Sequence, residues 1–386
     1  MRFPHWVVAC GSFLIGGSIL AMVYLHHLMG FLSESFTLGE VMLISQGLSI
    51  LSLEALWMFP SPVPDTRKFG ACLQVLVVGI VLVGLLLRPI LSKVFDNCVK
   101  SSESGAKIEK NIKSWTWSLY FYLLFAAANL LFLLPWLGLI IQENPVIYGL
   151  KFMFAFKERV FMMVAWTILV TIAGLVVATT TSSSTVIRKY FHLIAVATFI
   201  PGLHYDPELL CLASAGVFFI FIFLEGIRAF KIQPFGSYLY DAFKIFLDEQ
   251  DSGLIILTHI YLLLGLSLPL WIFSDGEYLK SGEFLPLYSG VLSIGVGDTA
   301  ASVFGSLLGR HKWTGTKKTL EGTVAAVVSQ VFTCYFLQSV LGVRPQGNWL
   351  LTLWAIFLTS LLEAFTSQID NLILPLFMFS LLSIKL

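Results

Sequence analysis

Long apolar runs, each bounded by a short polar segment, follow one another along almost the entire chain. A helix of about 20 apolar residues can cross the hydrocarbon core of a bilayer, and the runs recur at roughly that length. They lie at 6–30, 41–59, 70–91, 115–135, 160–180, 187–203, 209–227, 254–274, 286–308, 320–343, 349–363 and 368–384. Backbone polar groups find no water inside a bilayer, so such runs fold as helices. The pattern predicts an all-α, polytopic transmembrane helix bundle of about twelve spanning helices, within a range of roughly 10 to 13.

The polar intervals between the runs are short. The longest, 92–114 and 231–251, hold too few residues to bury a core, so no soluble domain is expected. The first run follows Arg2 as the apolar part of a signal peptide would, but it is longer and no cleavage-site pattern follows it. We therefore interpret it as the first spanning helix. We divide the chain into an N-terminal transmembrane region, 1–186, and a C-terminal transmembrane region, 187–386, which holds the candidate chemistry.

Composition and charge narrow the class of protein. Hydrophobic residues make up 57% of the chain and charged residues only 12%, whereas soluble domains carry about 25% charged residues. The net charge of +1 gives none of the basic excess that marks nucleic-acid-binding proteins, so no nucleic-acid partner is expected. The five cysteines are scattered without the spacing of a metal site.

The segment from Gly295 to Gly322 departs from the apolar pattern of its neighbours and reads GVGDTAASVFGSLLGRHKWTGTKKTLEG. Its glycines allow backbone N–H groups to approach a ligand closely, because glycine has no Cβ. Lys317 and Lys318 offer point charges to phosphate oxygens, and Asp298 could hold a divalent cation that bridges those oxygens. These features outline a nucleotide-phosphate site.

A second interpretation of this segment stays open on spacing alone. Small residues in an apolar segment also permit close helix packing, and lysines beyond a helix end are usual signals of the cytoplasmic side. The segment is not a Walker A loop, and the catalytic motifs of protein kinases are absent from the chain. For Asp298, packing is a weak explanation, because a carboxylate at the bilayer centre costs about 2.5–3.5 kcal/mol.

Membrane orientation groups the other unusual ionisable residues. If the basic loop 310–318 faces the cytoplasm, counting the predicted spans outward assigns a side to each remaining loop. The groups that fall on the same side are Arg188, Lys189, His192, Glu225, Arg228, Asp248, Glu249, Asp251, His259, Glu363 and Asp370. Lys151, Lys157 and Arg159 fall on the opposite side, against the positive-inside rule.

Several of these groups have ordinary structural explanations as well. Glu363 and Asp370 are seven residues apart, which places them on one face of a continuous helix, but they also fit a solvated turn. Arg188 and Lys189 at a membrane boundary often anchor a helix by snorkelling. A lone histidine such as His259 usually has a structural hydrogen-bond partner.

Seven motifs together resemble the dolichol kinase branch of the polyprenol kinase family. They are VGDTAAS with GTKKTLEGT, RKYFHL, FLEGIR, FLDEQDSG, LTHIYLLLG and LLEAFTSQIDNLILPL, which cover the chain from about Arg188 onward. The resemblance implies transfer of a phosphoryl group from CTP to the terminal hydroxyl of dolichol or another polyprenol, giving dolichyl phosphate and CDP. It also implies a multi-pass protein of the endoplasmic reticulum membrane, with its active site facing the cytoplasm and a role in glycosylation. Members carry further helices upstream, so we expect the N-terminal region to be shortened relative to the family.

The resemblance and the residue chemistry together give a set of expected roles. The catalytic residues are Asp298, Asp370 and Glu363, and a Mg²⁺ ion, or another divalent cation, is held by Asp298 and Asp370. The nucleotide-binding residues are Gly295, Gly297, Thr299, Ser302, Gly305, Gly309, Lys317, Lys318, Glu321 and Gly322. The residues that could bind a phosphate or the lipid phosphate are Arg188, Lys189, His192 and His259.

Other functions remain as alternatives. The nearest is a related lipid enzyme that uses CTP: a phytol kinase, a diacylglycerol kinase or a cytidylyltransferase that forms a CDP-lipid. The preference for CTP over ATP comes from the resemblance alone. A membrane transporter is an alternative of another class, but its charges are expected near the membrane midplane, whereas here they gather at one face.

Overall fold

The structure of the protein is a computed structural model, and it describes residues 5–32, 35–58, 68–98, 107–179, 184–243, 253–273, 283–366 and 370–384. Within those ranges the regular elements are all helical. The helices up to residue 243 are α1 (His5–Leu32), α2 (Leu38–Met58), α3 (Lys68–Cys98), α4 (Lys107–Ala128), α5 (Leu134–Ile141), α6 (Pro145–Met153), α7 (Lys157–Thr179), α8 (Ser184–Tyr205), α9 (Pro207–Ala229) and α10 (Gly236–Phe243). The later ones are α11 (Thr258–Ile272), α12 (Thr299–Leu308), α13 (Leu320–Leu341), α14 (Trp349–Phe365) and α15 (Asp370–Leu382).

Three shorter helical segments depart from α geometry. A π-helical turn, Asn129–Leu133, joins α4 to α5, and a 3₁₀ turn, Leu285–Tyr288, precedes a second π-helical segment, Val291–Asp298. That second segment runs directly into α12. π-Helical segments are rare and occur frequently at functional sites.

Among the described residues, seven helical stretches are long and apolar enough to cross a membrane. They lie at Leu38–Leu56, Phe69–Val94, Ser114–Ile141, Lys157–Val176, Pro207–Ala229, Val291–Leu308 and Leu320–Leu341. Four shorter apolar helices lie at Leu14–Gly30, Thr258–Ile272, Trp349–Phe365 and Asp370–Leu382. The prediction of an all-helical membrane protein is therefore confirmed. The described helices do not reach the predicted count of about twelve spans, because some predicted runs, such as 368–384, form helices shorter than about 20 residues. The count therefore stays a prediction.

The chain divides into two compact units, one of residues 1–149 with 219–257 and the other of 150–218 with 258–386. The boundary that we place between residues 186 and 187 from the sequence separates the region with the candidate chemistry from the rest of the chain, and it stays a prediction. In the first unit, α1 and α2 pack closely, since Ser49 Oγ donates to the carbonyl of Gly17 at 2.6 Å. Glu225 and Arg228 are also buried there, and their charges are paired through two hydrogen bonds of 2.8 and 2.6 Å. The Glu225 carboxylate also accepts from the backbone N–H of Ile256, at 2.5 Å.

In the second unit, Arg159, one of the three basic residues that depart from the positive-inside rule, has acidic partners. Its guanidinium is buried and donates from Nε to Asp206 at 2.5 Å and from Nη2 to Glu208 at 3.4 Å. The same group lies over the ring of Phe152, 3.7 Å from its centroid. The positive charge of Arg159 is therefore compensated locally, and the orientation of this segment stays a prediction.

The π-helical segment 291–298 lies in the interior of the second unit. Glycines let neighbouring backbones approach it: a Cβ on Gly290 would lie 2.6 Å from the carbonyl oxygen of Gly265. A Cβ on Gly265 itself would collide with the carbonyl oxygen of Asn371 on α15. Because these obstacles are backbone atoms, they cannot move aside as a flexible side chain could.

Gly265→Ala is therefore expected to destabilise the protein by about 2 kcal/mol, within the range of overpacked cores. The thermal midpoint of the detergent-purified protein should fall by roughly 4 °C or more. Gly216→Ala on α9 is the matched control, because nothing lies within 4 Å of a Cβ built at that position. Equal midpoints for the two variants would contradict the close backbone contact at Gly265.

Candidate active site

Asp298 is the central carboxylate of the second unit. It ends the π-helical segment immediately before α12 and is 5% exposed. Lys189 on α8 forms an ion pair with the Asp298 carboxylate, and its Nζ also lies 3.4 Å from the Asp298 carbonyl oxygen. Nδ1 of His192 lies 3.4 Å from the same carboxylate. Lys189 and His192 are three residues apart on one helix, so they approach Asp298 from the same face.

Glu363 and Asp370 form a second part of the site. Glu363 lies near the C-terminal end of α14 and is 3% exposed, while Asp370 begins α15. Lys318, in the loop before α13, forms an ion pair with Glu363, and its Nζ lies 3.8 Å from Oδ2 of Asp370. Burial lowers the pKa of Lys318, but the carboxylates of Glu363, Asp370 and Asp298 raise it by more, so the pKa lies above its ordinary value.

The three carboxylates meet in one cluster. Asp298, Glu363 and Asp370 each offer an oxygen, and these oxygens all lie within 4.8 Å of one another. Carboxylate oxygens are the hard ligands that Mg²⁺ prefers, and ligands in an octahedron of 2.0–2.1 Å bonds lie roughly 3–4 Å apart. A small contraction would therefore let the three acids share one cation, so their chemistry and spacing fit a divalent metal. Lys189 and Lys318 supply the positive charge that the buried acids need.

A cavity of about 230 Å³ adjoins the acid cluster. Its wall consists of small and hydroxyl-bearing residues of α12 and the start of α13, together with two lysines and one acid. The lining residues are Ala301, Ser302, Gly305, Ser306, Lys317, Lys318, Thr319, Gly322, Thr323 and Glu363. Since Lys318 and Glu363 belong to both features, the cavity opens directly beside the carboxylates.

Close contact between α12 and α13 shapes this cavity. A Cβ on Gly322 would lie 2.7 Å from the carbonyl oxygen of Ala301, and one on Gly305 would lie 2.9 Å from Oγ1 of Thr319. Thr319 caps α13, because its hydroxyl accepts from the backbone N–H of Gly322 at 3.2 Å. Side chains larger than hydrogen at the two glycines would push the helices apart.

The two lysines lie on an ordered basic hairpin, which we define as residues 309–319. Its arms are joined by a β-bridge between Lys312 and Thr319 and by a hydrogen bond of 3.0 Å from Trp313 N–H to the carbonyl of Lys318. Gly315 makes the turn with a φ of +80°, a conformation that other residues rarely adopt. The hairpin thus holds Lys317 and Lys318 at the cavity.

Trp313 is a residue of this site that the sequence reasoning missed. Its indole Nε1–H donates to Thr323 Oγ1 at 3.0 Å, and its ring contacts that of Phe365 edge-on, with 5.2 Å between centroids. The available signal was a single large aromatic residue within an otherwise small and basic loop.

Of the ten residues predicted to bind nucleotide, five line the cavity: Ser302, Gly305, Lys317, Lys318 and Gly322. The other five have packing or structural contacts among the described residues. A Cβ on Gly295 would meet Val196, one on Gly297 would meet Gln330, and one on Gly309 would meet the carbonyl of Gly305. Their role in nucleotide binding stays a prediction, and the packing interpretation that the sequence left open accounts for their positions.

Thr299 and Glu321 also have partners apart from the cavity. The Thr299 hydroxyl lies 3.5 Å from the carbonyl oxygen of Ile294, and the Glu321 carboxylate accepts from the backbone N–H of His311 at 3.2 Å. Glu321 also lies 2.6 Å from Nδ1 of His311. Both therefore stabilise local structure next to the site.

The residues predicted to bind a phosphate or lipid phosphate are divided. Lys189 and His192 lie at Asp298, as described above, whereas the side chain of Arg188 lies outside the described part of the structure. His259 lies at the start of α11, next to Thr258, whose carbonyl oxygen lies 3.4 Å from Nδ2 of Asn371. It is not one of the groups that meet at the carboxylate cluster.

Comparisons with known proteins agree on one family. The model of the dolichol kinase family matches residues 14–309. The chain is 39% identical to human dolichol kinase, over 94% of this chain and 68% of the human protein. It is 29% identical to the dolichol kinase EVAN of Arabidopsis thaliana, over 94% of this chain and 67% of the plant protein.

A third relative covers less of the chain. Dolichol kinase of Saccharomyces cerevisiae is 31% identical over 61% of this chain and 44% of the yeast protein. No solved structure matches the chain. The length and identity of the animal matches, together with the family model, show that this chain belongs to the dolichol kinase family.

Proposed function

We propose that this protein phosphorylates the terminal hydroxyl of dolichol, or a closely related polyprenol, with CTP as the phosphoryl donor. The observation that carries the proposal is the meeting of three carboxylates and two lysines beside a cavity, in a chain of the dolichol kinase family. The bond between the terminal phosphorus of CTP and its bridging oxygen breaks, and a bond from that phosphorus to the alcohol oxygen forms. The products are dolichyl phosphate and CDP, and the hydroxyl proton passes to a carboxylate of the cluster.

A divalent cation, Mg²⁺ for preference, is proposed between Asp298 and Asp370, with Glu363 as a third neighbour. When bound, it would neutralise charge on the phosphate oxygens and orient the transferred group. Lys189 and His192 hold the Asp298 carboxylate in one orientation, because they contact it from the same helix face. That orientation is the contribution of α8 to the site.

The lysines have separate parts in the proposed mechanism. Lys317 lines the cavity and would bind the nucleotide phosphates as a point charge. Lys318 lies at the junction of cavity and carboxylates, where negative charge develops on the transferred group. Its elevated pKa keeps it protonated, so it would stabilise that charge. Positioning and electrostatic stabilisation account for most of the catalysis in such transfers.

The same proposal extends to the cellular setting. A multi-pass helical protein suits an acceptor that stays within the bilayer, and we place it in the endoplasmic reticulum membrane. The basic hairpin 309–319 would face the cytoplasm, as the positive-inside rule favours. We also retain about twelve spanning helices as a proposal, since several predicted runs are represented by the shorter apolar helices.

The function is tested with purified protein, dolichol, and CTP or ATP labelled on the terminal phosphate. Labelled dolichyl phosphate together with CDP is the expected result. Release of pyrophosphate in place of CDP would indicate a cytidylyltransferase instead. A properly folded preparation that makes no labelled lipid from either donor would remove the proposal.

In the same assay, Asp298→Asn is expected to lower kcat by about 100-fold or more, because it removes a charge that positions the cation and the transferred group. Glu158→Gln is the control, since Glu158 is exposed at the start of α7 and lies outside the site. Size-exclusion chromatography would establish that both variants are folded. Full activity in the Asp298 variant would exclude its catalytic role.

Lys317→Met is expected to raise the KM for CTP about 10-fold while the KM for dolichol changes little, because in the proposed mechanism this lysine binds the nucleotide phosphates. Lys312→Met is a matched control from the same hairpin, since Lys312 is exposed and does not line the cavity. If both variants shift the KM for CTP equally, the effect belongs to the general charge of the hairpin.

Asp370→Asn is expected to raise the Mg²⁺ concentration needed for half-maximal activity by about 10-fold, since loss of a ligand contact costs metal affinity. The measurement is a titration of activity with Mg²⁺ at saturating CTP, starting from protein treated with a chelator. An unchanged half-maximal concentration would place the cation elsewhere.

A further inference from the structure

We propose that Trp313 is a positioning residue for Lys318. It fixes the basic hairpin to α13 and α14 and thereby sets the place of the Lys318 ammonium group opposite Glu363. The inference rests on the proposed function only for the reaction that Lys318 serves. The attachment of the hairpin itself is a property of the fold and can be tested separately.

The backbone of Trp313 holds Lys318 directly. The Trp313 N–H donates to the carbonyl of Lys318 at 3.0 Å, and its own carbonyl accepts from Thr316 N–H at 3.2 Å. The N–H of Lys318 donates to Oγ1 of Thr316 at 3.2 Å. Both backbone polar groups of Lys318 are thus bonded within the hairpin, so Lys318 moves only if the hairpin moves.

The Trp313 side chain attaches this hairpin to two helices. The indole N–H donates to the hydroxyl of Thr323, which lies on the first turn of α13 and is 7% exposed. The ring meets that of Phe365, with an angle of 61° between the planes. Phe365 is two residues beyond Glu363, the partner of Lys318. One side chain therefore connects the hairpin that carries the lysine with the helix that carries its carboxylate.

A membrane-interface anchor would be the ordinary role for a tryptophan near the end of an apolar helix. Such residues are enriched where membrane and water meet, because the ring is apolar and the N–H can bond water. Here the indole N–H donates to the hydroxyl of the buried Thr323. A buried polar group that loses a hydrogen-bond partner destabilises the folded protein. This bond distinguishes Trp313 from Trp354 on α14, which is 53% exposed and contacts Phe357.

The test compares substitutions at both ends of the indole–hydroxyl bond. Trp313→Phe keeps an aromatic ring without the donor, and Thr323→Val keeps the shape without the acceptor. Each is expected to lower kcat/KM for CTP by about 5-fold, with the KM for dolichol within about 2-fold of the parent value. Thr323→Val also removes the bond of 3.3 Å from the Thr323 hydroxyl to the carbonyl oxygen of Thr319, so the double variant should lose no more than Thr323→Val alone. Thr323→Ser restores the acceptor and should recover most of the loss seen in Thr323→Val.

Limited trypsin digestion supplies a readout that does not depend on activity. Cleavage after Lys317 and Lys318 should be several-fold faster in Trp313→Phe and Thr323→Val than in the parent. Trp354→Phe is the matched control, and its cleavage rate and kinetics should equal those of the parent.

The outcomes separate this inference from the proposed function. A parent protein that transfers no phosphoryl group contradicts the function, and the digestion then decides alone whether Trp313 holds the hairpin. If the parent is active, and both variants have the kinetics and the cleavage rate of the parent, the role of Trp313 is overturned. Additive losses in the double variant, or an equal loss in Trp354→Phe, would show general destabilisation and also overturn it.

Discussion

The pairing of buried carboxylates with lysines from other elements is the constraint that organises the second unit. Asp298 and Glu363 are 5% and 3% exposed, and each lies at the end of an apolar helical segment. Removing one partner of such a buried pair leaves a charge that costs about 3–5 kcal/mol. Lys189 and Lys318 must therefore reach their acids in the folded state. The positions of α8, the basic hairpin and α14 follow from that requirement.

The same pairs make the site responsive to charged ligands. Three carboxylates meet beside the ammonium groups of Lys189 and Lys318, and the excess of acidic groups favours a divalent cation. In the proposed function, a cation held by these acids would offset their negative charge and so allow phosphate oxygens to approach. The lysines can then exchange a carboxylate partner for a phosphate partner without leaving any charge unpaired. Charge balance thus connects the stability of the unit with the proposed transfer.

The sequence predicts helices and membrane character well, because hydropathy records burial in lipid directly. It also singles out Asp298, since a carboxylate within an apolar segment has few structural uses. It does not reveal the ion pair of Asp298 with Lys189, because these residues are 109 positions apart and only tertiary packing joins them. The sequence does not reveal the contacts of Trp313 for the same reason, because its partners Thr323 and Phe365 belong to two different helices.

Glycines show most clearly where pattern and structure diverge. Gly295 and Gly297 match a phosphate-binding pattern, yet they lie within the π-helical segment, where Val196 and Gln330 occupy the space a Cβ would need. A π turn holds more residues than an α turn, so it changes the direction in which the following side chain points. Close packing at the two glycines stabilises this rare geometry, and the geometry in turn aims Asp298 at its partners. Glycines that suggest direct contact with phosphate can therefore serve the proposed site through the backbone that carries its carboxylate.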